Sequence, residues 1–236
     1  MMKETFEHAY TNFTNHLEKK LDNYWGFFNY ETRRLQCESL INSINDKFNF
    51  KTLDVLETGA SQNYEDGVWG LFLGFATELT NGSMVSVDIN ESYVNNSKVI
   101  FKDVIPNLEY NSHSQDSVSF LENYKGTPNL VHLDSWDLDL NNPLPSALHG
   151  WREFVAIKDK VPSGGIIVVD DNFRDNTSIA WSYPHSGEME HIVTKYPMTG
   201  KGSLIYHYAL DNTNDWVLIG SHYDSHRNIK IIVQKK

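Results

Sequence analysis

A single cysteine, Cys37, excludes an internal disulfide, so whatever holds the chain together must be packing and polar contacts. Its place in a helical pattern favours a packed helix residue over a nucleophile. MMKETFEHAYTNF carries no apolar leader, and no run is long and apolar enough to span a bilayer, so the expectation is a cytoplasmic chain with no membrane partner. Basic residues are also scarce. Twenty Lys and Arg against 31 Asp and Glu leave a formal net charge of -11, and no basic run interleaved with aromatics offsets it. Such a surface repels phosphate backbones, which excludes nucleic acid as the expected partner. Internal repeats and low-complexity tracts are absent too.

Apolar residues make up 40% of the 236, enough for the core of one large α/β domain. Residues 3 to about 48 read as helical, with Phe6, Tyr10, Phe13 and Leu17 at spacings of three and four, then Leu35, Leu40, Ile41 and Ile44. The aromatic run Tyr24, Trp25, Phe27, Phe28 and Tyr30 between them reads either as a packed hinge or as a lid over a ligand. Residues 1–50 are thus expected to form a helical extension on a main domain at 51–236, and a helical N-terminus left exposed would offer a homo-oligomer contact.

From residue 53 short apolar runs alternate with amphipathic patterns. LDVLE, MVSVD, LEYNSH, NLVHLD and GIIVVD read as strands, separated by helices around Val68 to Leu79, Glu91 to Val104, Val118 to Tyr124 and Ala147 to Lys160. That alternation gives a parallel sheet whose ligand face lies at the carboxyl ends of the strands. The alternation stops after Asn172. Residues 173–200 have few helix or strand signals but contain Trp181, Tyr183, His185, His191 and Tyr196, as expected of a loop shaping a substrate pocket. A helix in GKGSLIYHYAL follows, then WVLIGSHY and IKIIVQ joined by DSHRN, an antiparallel hairpin at the sheet edge.

The acids concentrate at the strand ends. The first strand closes on Glu57, Thr58, Gly59, Ala60 and Ser61 without the GxGxxG that a dinucleotide site needs. An acid two residues before Gly59 suits a ligand carrying positive charge, and Asp88 ends the second strand where it can accept from ribose hydroxyls. In SQDSVSFL, Asp116 or Ser117 either caps the next helix or faces an adenine amino group. The fourth and fifth runs end in Asp134 with Asp137, and in Asp170 with Asp171.

In order and spacing, ETG, SVD, QDS, LDSWD and PSGGIIVVDDN resemble the successive motifs of class I S-adenosylmethionine-dependent methyltransferases, from about Leu53 to Asn172. The resemblance implies a doubly wound, mostly parallel seven-stranded α/β sheet with an antiparallel C-terminal hairpin. It implies S-adenosylmethionine as cofactor, with Glu57, Gly59 and Ala60 beside the methionine part, Asp88 on the ribose, and Gln115, Asp116 and Ser117 at the adenine. The first motif departs from the family in having Ala60, Ser61 and Gln62 where further glycines are usual.

Within that family, LDSWD and VDDN are similar to the metal-dependent O-methyltransferases of the catechol and macrolide-sugar types. By that resemblance Asp134, which also borders the cofactor, is the first ligand of a magnesium ion, and the neighbouring pair is Asp170 with Asp171 or Asp171 with Asn172. Magnesium takes oxygen ligands and leaves positions for a substrate hydroxyl, whose proton it makes easier to lose. Asp137 stands where the catechol-type enzymes have a Lys base, with Asp139 a second choice. His149 reads as a surface residue, because Leu148, Trp151 and Val155 mark the apolar face of its helix. The expected activity is methylation of a small-molecule hydroxyl, on a sugar or a secondary-metabolite ring. The alternatives are a metal-independent N- or carboxyl-methyltransferase and a nucleoside-binding module without turnover.

Overall fold

The computed structural model describes residues 2–20, 24–63, 69–139, 141–174, 178–182, 189–193, 198–223 and 229–236, excepting the side chains of 19–20, 24–33, 174, 178–182, 189–193, 198, 221–223 and 229. The apolar runs form the central strands β1 (Val55–Thr58), β4 (Leu130–Leu133) and β5 (Ile166–Arg174), buried on both faces through Leu133 and Asp170, while β2 (Ser83–Asp88) is partly buried and the polar β3 (Glu109–Ser114) is mostly exposed at the sheet edge. Between them run α3 (Trp69–Leu79), α4 (Glu91–Val104), α5 (Ser117–Asn123) and α6 (Leu144–Ile157); α1 (Met2–Lys20) and α2 (Tyr24–Ser43) precede them. Asn90 starts α4 by accepting from the Ser92 N–H, and Asp116 starts α5 by accepting from that of Ser119.

Pairing is parallel from β3 through β5, and the chain returns through α7 (Ser203–Asp211), β9 (Trp216–Tyr223) and β10 (Ile229–Lys235). The sheet order is β3-β2-β1-β4-β5-β10-β9, with β10 antiparallel to both neighbours. The expected terminal hairpin is therefore present, with β10 inserted beside β5 and β9 at the edge. Sequence order reverses between β1 and β4, and a ligand crevice belongs outside the carboxyl ends of those two strands.

Alternation along each strand splits the core in two. Val55, Leu130, Ile166, Val168 and Ile232 face a cluster with α1 to α4, while Leu56, Val131, Ile167, Val169 and Val233 face one with α5 to α7. The N-terminal helices join the first cluster: Phe6 and Phe13 are fully buried, with ring centroids 5.6 and 6.0 Å from Phe72 of α3. Cys37 is buried there as a packed residue. The aromatic run 24–30 lies on α2, its side chains outside those described. Among the described residues no helix is long and apolar enough to cross a membrane.

Segment 173–200 departs from its reading as irregular loop. It contains β6 (Ser178–Ser182) paired with β7 (Met189–Val193) in a separate two-stranded sheet, and β8 (Met198–Gly200) paired with the end of β5. Strands of three to five residues carry too little alternation to stand out in a polar stretch. The side chains of Trp181 and His191, and residues Tyr183, His185 and Tyr196, are outside those described.

Candidate active site

At the switch point the ends of four strands, β1 to β4, are stitched together. The Gly59 N–H donates to Val87 O at 2.8 Å, the Asp134 N–H donates to Thr58 O at 3.0 Å, and the Gln115 N–H donates to Asp88 O at 3.0 Å. Gly59 has φ +84°, and a Cβ there would stand 2.6 Å from the Asp134 carbonyl oxygen, so only glycine lets the first turn pass over the end of β4. Asp88 orders the loops on either side, accepting from Ala60 N–H at 2.9 Å and Asn90 N–H at 2.8 Å. Each carboxylate oxygen has two lone pairs, so both retain capacity for hydroxyls of a ligand.

Gln115 and Asp116 are exposed beside this edge, and Ser117 is buried. Asp116 is the cap of α5, accepting from the Ser119 N–H at 2.8 Å, which holds its pKa below the usual carboxylate range. Ser117 belongs to a cluster that the sequence reading passed over. Its hydroxyl is 3.1 Å from His149 Nε2, which is 3.0 Å from Ser135 Oγ, and Ser135 donates to Glu153 Oε1 at 2.6 Å. His149 is therefore not a surface residue. The buried face of α6 is Ala147, Gly150, Phe154 and Ile157 with Glu153, while Leu148 and Val155 are 41% and 45% exposed. Trp136, at φ +64° and 56% exposed, tilts over the His149 ring at 5.1 Å.

Glu57 does not open onto the ligand face. Strand alternation turns it to the side of Val55, beneath α3, where it is 2% exposed, accepts from Ser86 Oγ at 2.8 Å and lies 3.2 Å from His132 Nδ1. Gly70 of α3 passes so close that a Cβ would meet Glu57 Oε1 at 2.6 Å. Burial lowers the His132 pKa, against the raising influence of Glu57, and a carboxylate oxygen can only accept, so the Nδ1 facing it is the nitrogen placed to donate. This acid is a sealed structural partner and not the expected contact to a methionine ammonium.

The same face of β5 and β10 carries a buried ion pair. Lys230 Nζ is 2.7 Å from Asp170 Oδ2 and 4.2 Å from the Trp69 ring centroid, with the lysine side chain 0% and the aspartate 4% exposed. A β-bulge makes this possible: Ile229 pairs with Asn172 and Ile231 with Val169, so Lys230 alone faces Asp170 and Asp171, and Asp171 takes φ +51°.

The expected magnesium ligands meet a different cation. Lys201 Nζ lies 2.8 Å from Asp134 Oδ1 and 3.0 Å from Asp171 Oδ2. Asn172 is committed to backbone, donating to Val169 O and Asp170 O at 2.9 Å and accepting from Gly202 N–H at 2.6 Å. Among the described residues, His132, Asp134 and Asp170 do bring ligand atoms within 4.8 Å of one another, yet lysines pair with both acids. These residues do not fit the magnesium site that the resemblance implies. Burial works to lower the Lys201 pKa, and Asp134, Asp171 and Asp170 outweigh it and raise it. Burial pushes the Asp134 carboxyl up to about 7, Lys201 opposing and Asp170 and Asp171 reinforcing the rise. Asp137, expected as the base, is exposed on the loop after β4. Lys201 and Lys230 went unnoticed in the sequence, although a charge inside the apolar run IKIIV was a signal for the second.

No family model and no curated protein matches this sequence. Solved structures do. The magnesium protoporphyrin IX methyltransferase of Synechocystis PCC 6803, with bound S-adenosylmethionine, is 14% identical over 89% of this chain and 84% of its own, with a TM-score of 0.51. Aeropyrum pernix fibrillarin, in complex with natively bound S-adenosylmethionine, is 10% identical over 83% and 72%, at 0.50. An rRNA methylase from Streptococcus thermophilus is 7% identical over 91% and 98%, also at 0.50. What this chain shares with all three is the Rossmann-like fold of the S-adenosylmethionine-dependent methyltransferases.

Proposed function

We propose that the protein is an S-adenosylmethionine-dependent methyltransferase acting on a hydroxyl of a small molecule. The observation that carries this reading is Gly59 pressed on the Asp134 carbonyl at the switch point, with Asp88 holding the turn after it and Ser117 beside Ser135 of the loop after β4. Gly59 and Ala60 would border the methionine part, Asp88 the ribose, and Gln115, Asp116 and Ser117 the adenine. When bound, the cofactor supplies an electrophilic methyl group.

The chain's own residues supply position and a proton acceptor. Asp134 and Asp171 are 28% and 20% exposed at the crevice, open enough to accept from an acceptor hydroxyl. Desolvation together with Asp170 and Asp171 raises the Asp134 carboxyl above its ordinary range while Lys201 opposes the rise, and its place at the crevice makes it, in place of the exposed Asp137, the proposed base. Holding the hydroxyl in line contributes much of the acceleration in such transfers. A base must be ionised to act, so kcat/KM on a responsive acceptor is expected to rise with pH through a point above the ordinary carboxylate range, where the raised Asp134 carboxyl loses its proton. Asp134→Asn is expected to abolish that rise and slow transfer by about 10²- to 10⁴-fold, the usual contribution of a positioned base. An unchanged pH profile in Asp134→Asn removes it from the role. The net charge of -11 supports a small acceptor over a nucleic acid.

A further inference from the structure

The clamp on Lys201 is tighter than a chance ion pair requires. Gly200 precedes it at φ +127°, where a Cβ would fall 2.0 Å from the Asp171 carbonyl oxygen. Gly202 follows it and donates its N–H to Asn172 Oδ1 at 2.6 Å. On the third side Gly150 lets α6 approach so closely that a Cβ would stand 2.5 Å from Lys201 O. Lysine on a flexible surface tether gives a weak, easily screened pair. Here two glycines and a helix fix the backbone, and the side chain is 3% exposed between two acids that are far more open.

We infer that Lys201 holds the place between Asp134 and Asp171 that a divalent cation takes in metal-dependent members of this fold, so that the crevice works with a built-in cation and needs no bound metal. Three acids, Asp134, Asp170 and Asp171, face two ammonium groups, Lys201 and Lys230. A divalent ion entering between Asp134 and Asp171 would have to expel a buried ammonium that cannot leave the chain. Lys201 keeps both carboxylates in register while their remaining oxygens stay free of metal bonds. An ammonium has three donors, and two are directed at these acids, which leaves one for an acceptor oxygen. The Lys201 clamp is set by the geometry of β5, β8 and α6, and its bearing on methyl transfer rests on the proposed activity.

Manganese is the probe, titrated into the full chain and followed by the loss of its free-ion paramagnetic resonance signal. Wild type is expected to show no saturating one-site isotherm. Lys201→Ala, which leaves two adjacent carboxylates without their cation, is expected to gain one site with affinity at least about tenfold above the wild-type background. If circular dichroism shows that this variant does not fold, Lys201→Gln takes its place. A one-site isotherm in wild type that Asp134→Asn abolishes would overturn the inference, as would a folded Lys201 variant that gains no site. S-adenosylmethionine titrated into the same samples reports separately on the methyltransferase reading. If it fails to bind while the manganese pattern holds, that reading falls and the built-in cation stands.

Discussion

Lys230→Met is expected to lower the free energy of unfolding by about 3–5 kcal/mol, the cost of stranding one member of a buried ion pair. Asp170 would keep its place in the first core, 3% exposed, with the Asp171 N–H still on its Oδ1 but without the ammonium 2.7 Å from its Oδ2. The contact of that ammonium with the Trp69 ring would be lost as well. Against a total stability of about 5–15 kcal/mol for an ordinary domain, the loss is large enough to see in a single urea titration. The double variant Lys230→Met with Asp170→Asn removes both charges and is expected to recover part of the loss, because a neutral pair in the interior has no uncompensated ion to desolvate. A single variant within about 0.5 kcal/mol of wild type, the range of an ordinary surface substitution, would show that the pair does not carry this part of the sheet.

Gly59→Ala is expected to weaken S-adenosylmethionine binding by about tenfold or more while leaving most of the fold standing. Two costs coincide at this position. A residue with a Cβ at φ +84° sits in a region that costs about 1–3 kcal/mol for non-glycine residues. The added methyl would also meet the Asp134 carbonyl oxygen at 2.6 Å, a backbone atom that no rotamer change can move. Relief requires the ends of β1 and β4 to separate, at the point where the Asp134 N–H holds Thr58 O. Since the crevice opens between those ends, the damage falls on binding first and on global stability second. Calorimetry paired with a thermal melt checks this: unchanged affinity with an unchanged melt means that the turn tolerates the methyl group and that Gly59 is not the cradle.

Much of the sheet was legible because its central strands are short apolar runs, β-branched in β5 and β10, and α4 keeps a clear helical period. The pattern from Glu91 to Val104 is the helix α4 end to end, and Asp134 of LVHLDSWD and Asp171 of GGIIVVDDN do meet at one edge, both on Lys201. What stayed hidden depended on which side of the sheet a residue faces. Glu57 and His132 look like strand-end polar groups in sequence, but alternation aims them into the first core under α3. His149 was lost to a wrong helix face, because Leu148 and Val155 are exposed apolar residues that imitate a buried stripe. The lysines stayed hidden for a similar reason: Lys201 and Lys230 lie about 30 residues or more beyond the acids they pair with, and β8 and β10 folding back along β5 bring them there. Lysines are rarely buried, so a sequence reading assigns them to the surface unless the surrounding run argues otherwise.

Calorimetric titration of the full chain with S-adenosylmethionine, beside a parallel titration with NAD, tests the central claim most directly. The expected result is one-site binding of S-adenosylmethionine that Asp88→Ala weakens by at least about tenfold, the worth of a hydrogen bond from a hydroxyl to a charged group, and no binding of NAD. Binding of NAD with none of S-adenosylmethionine would contradict it.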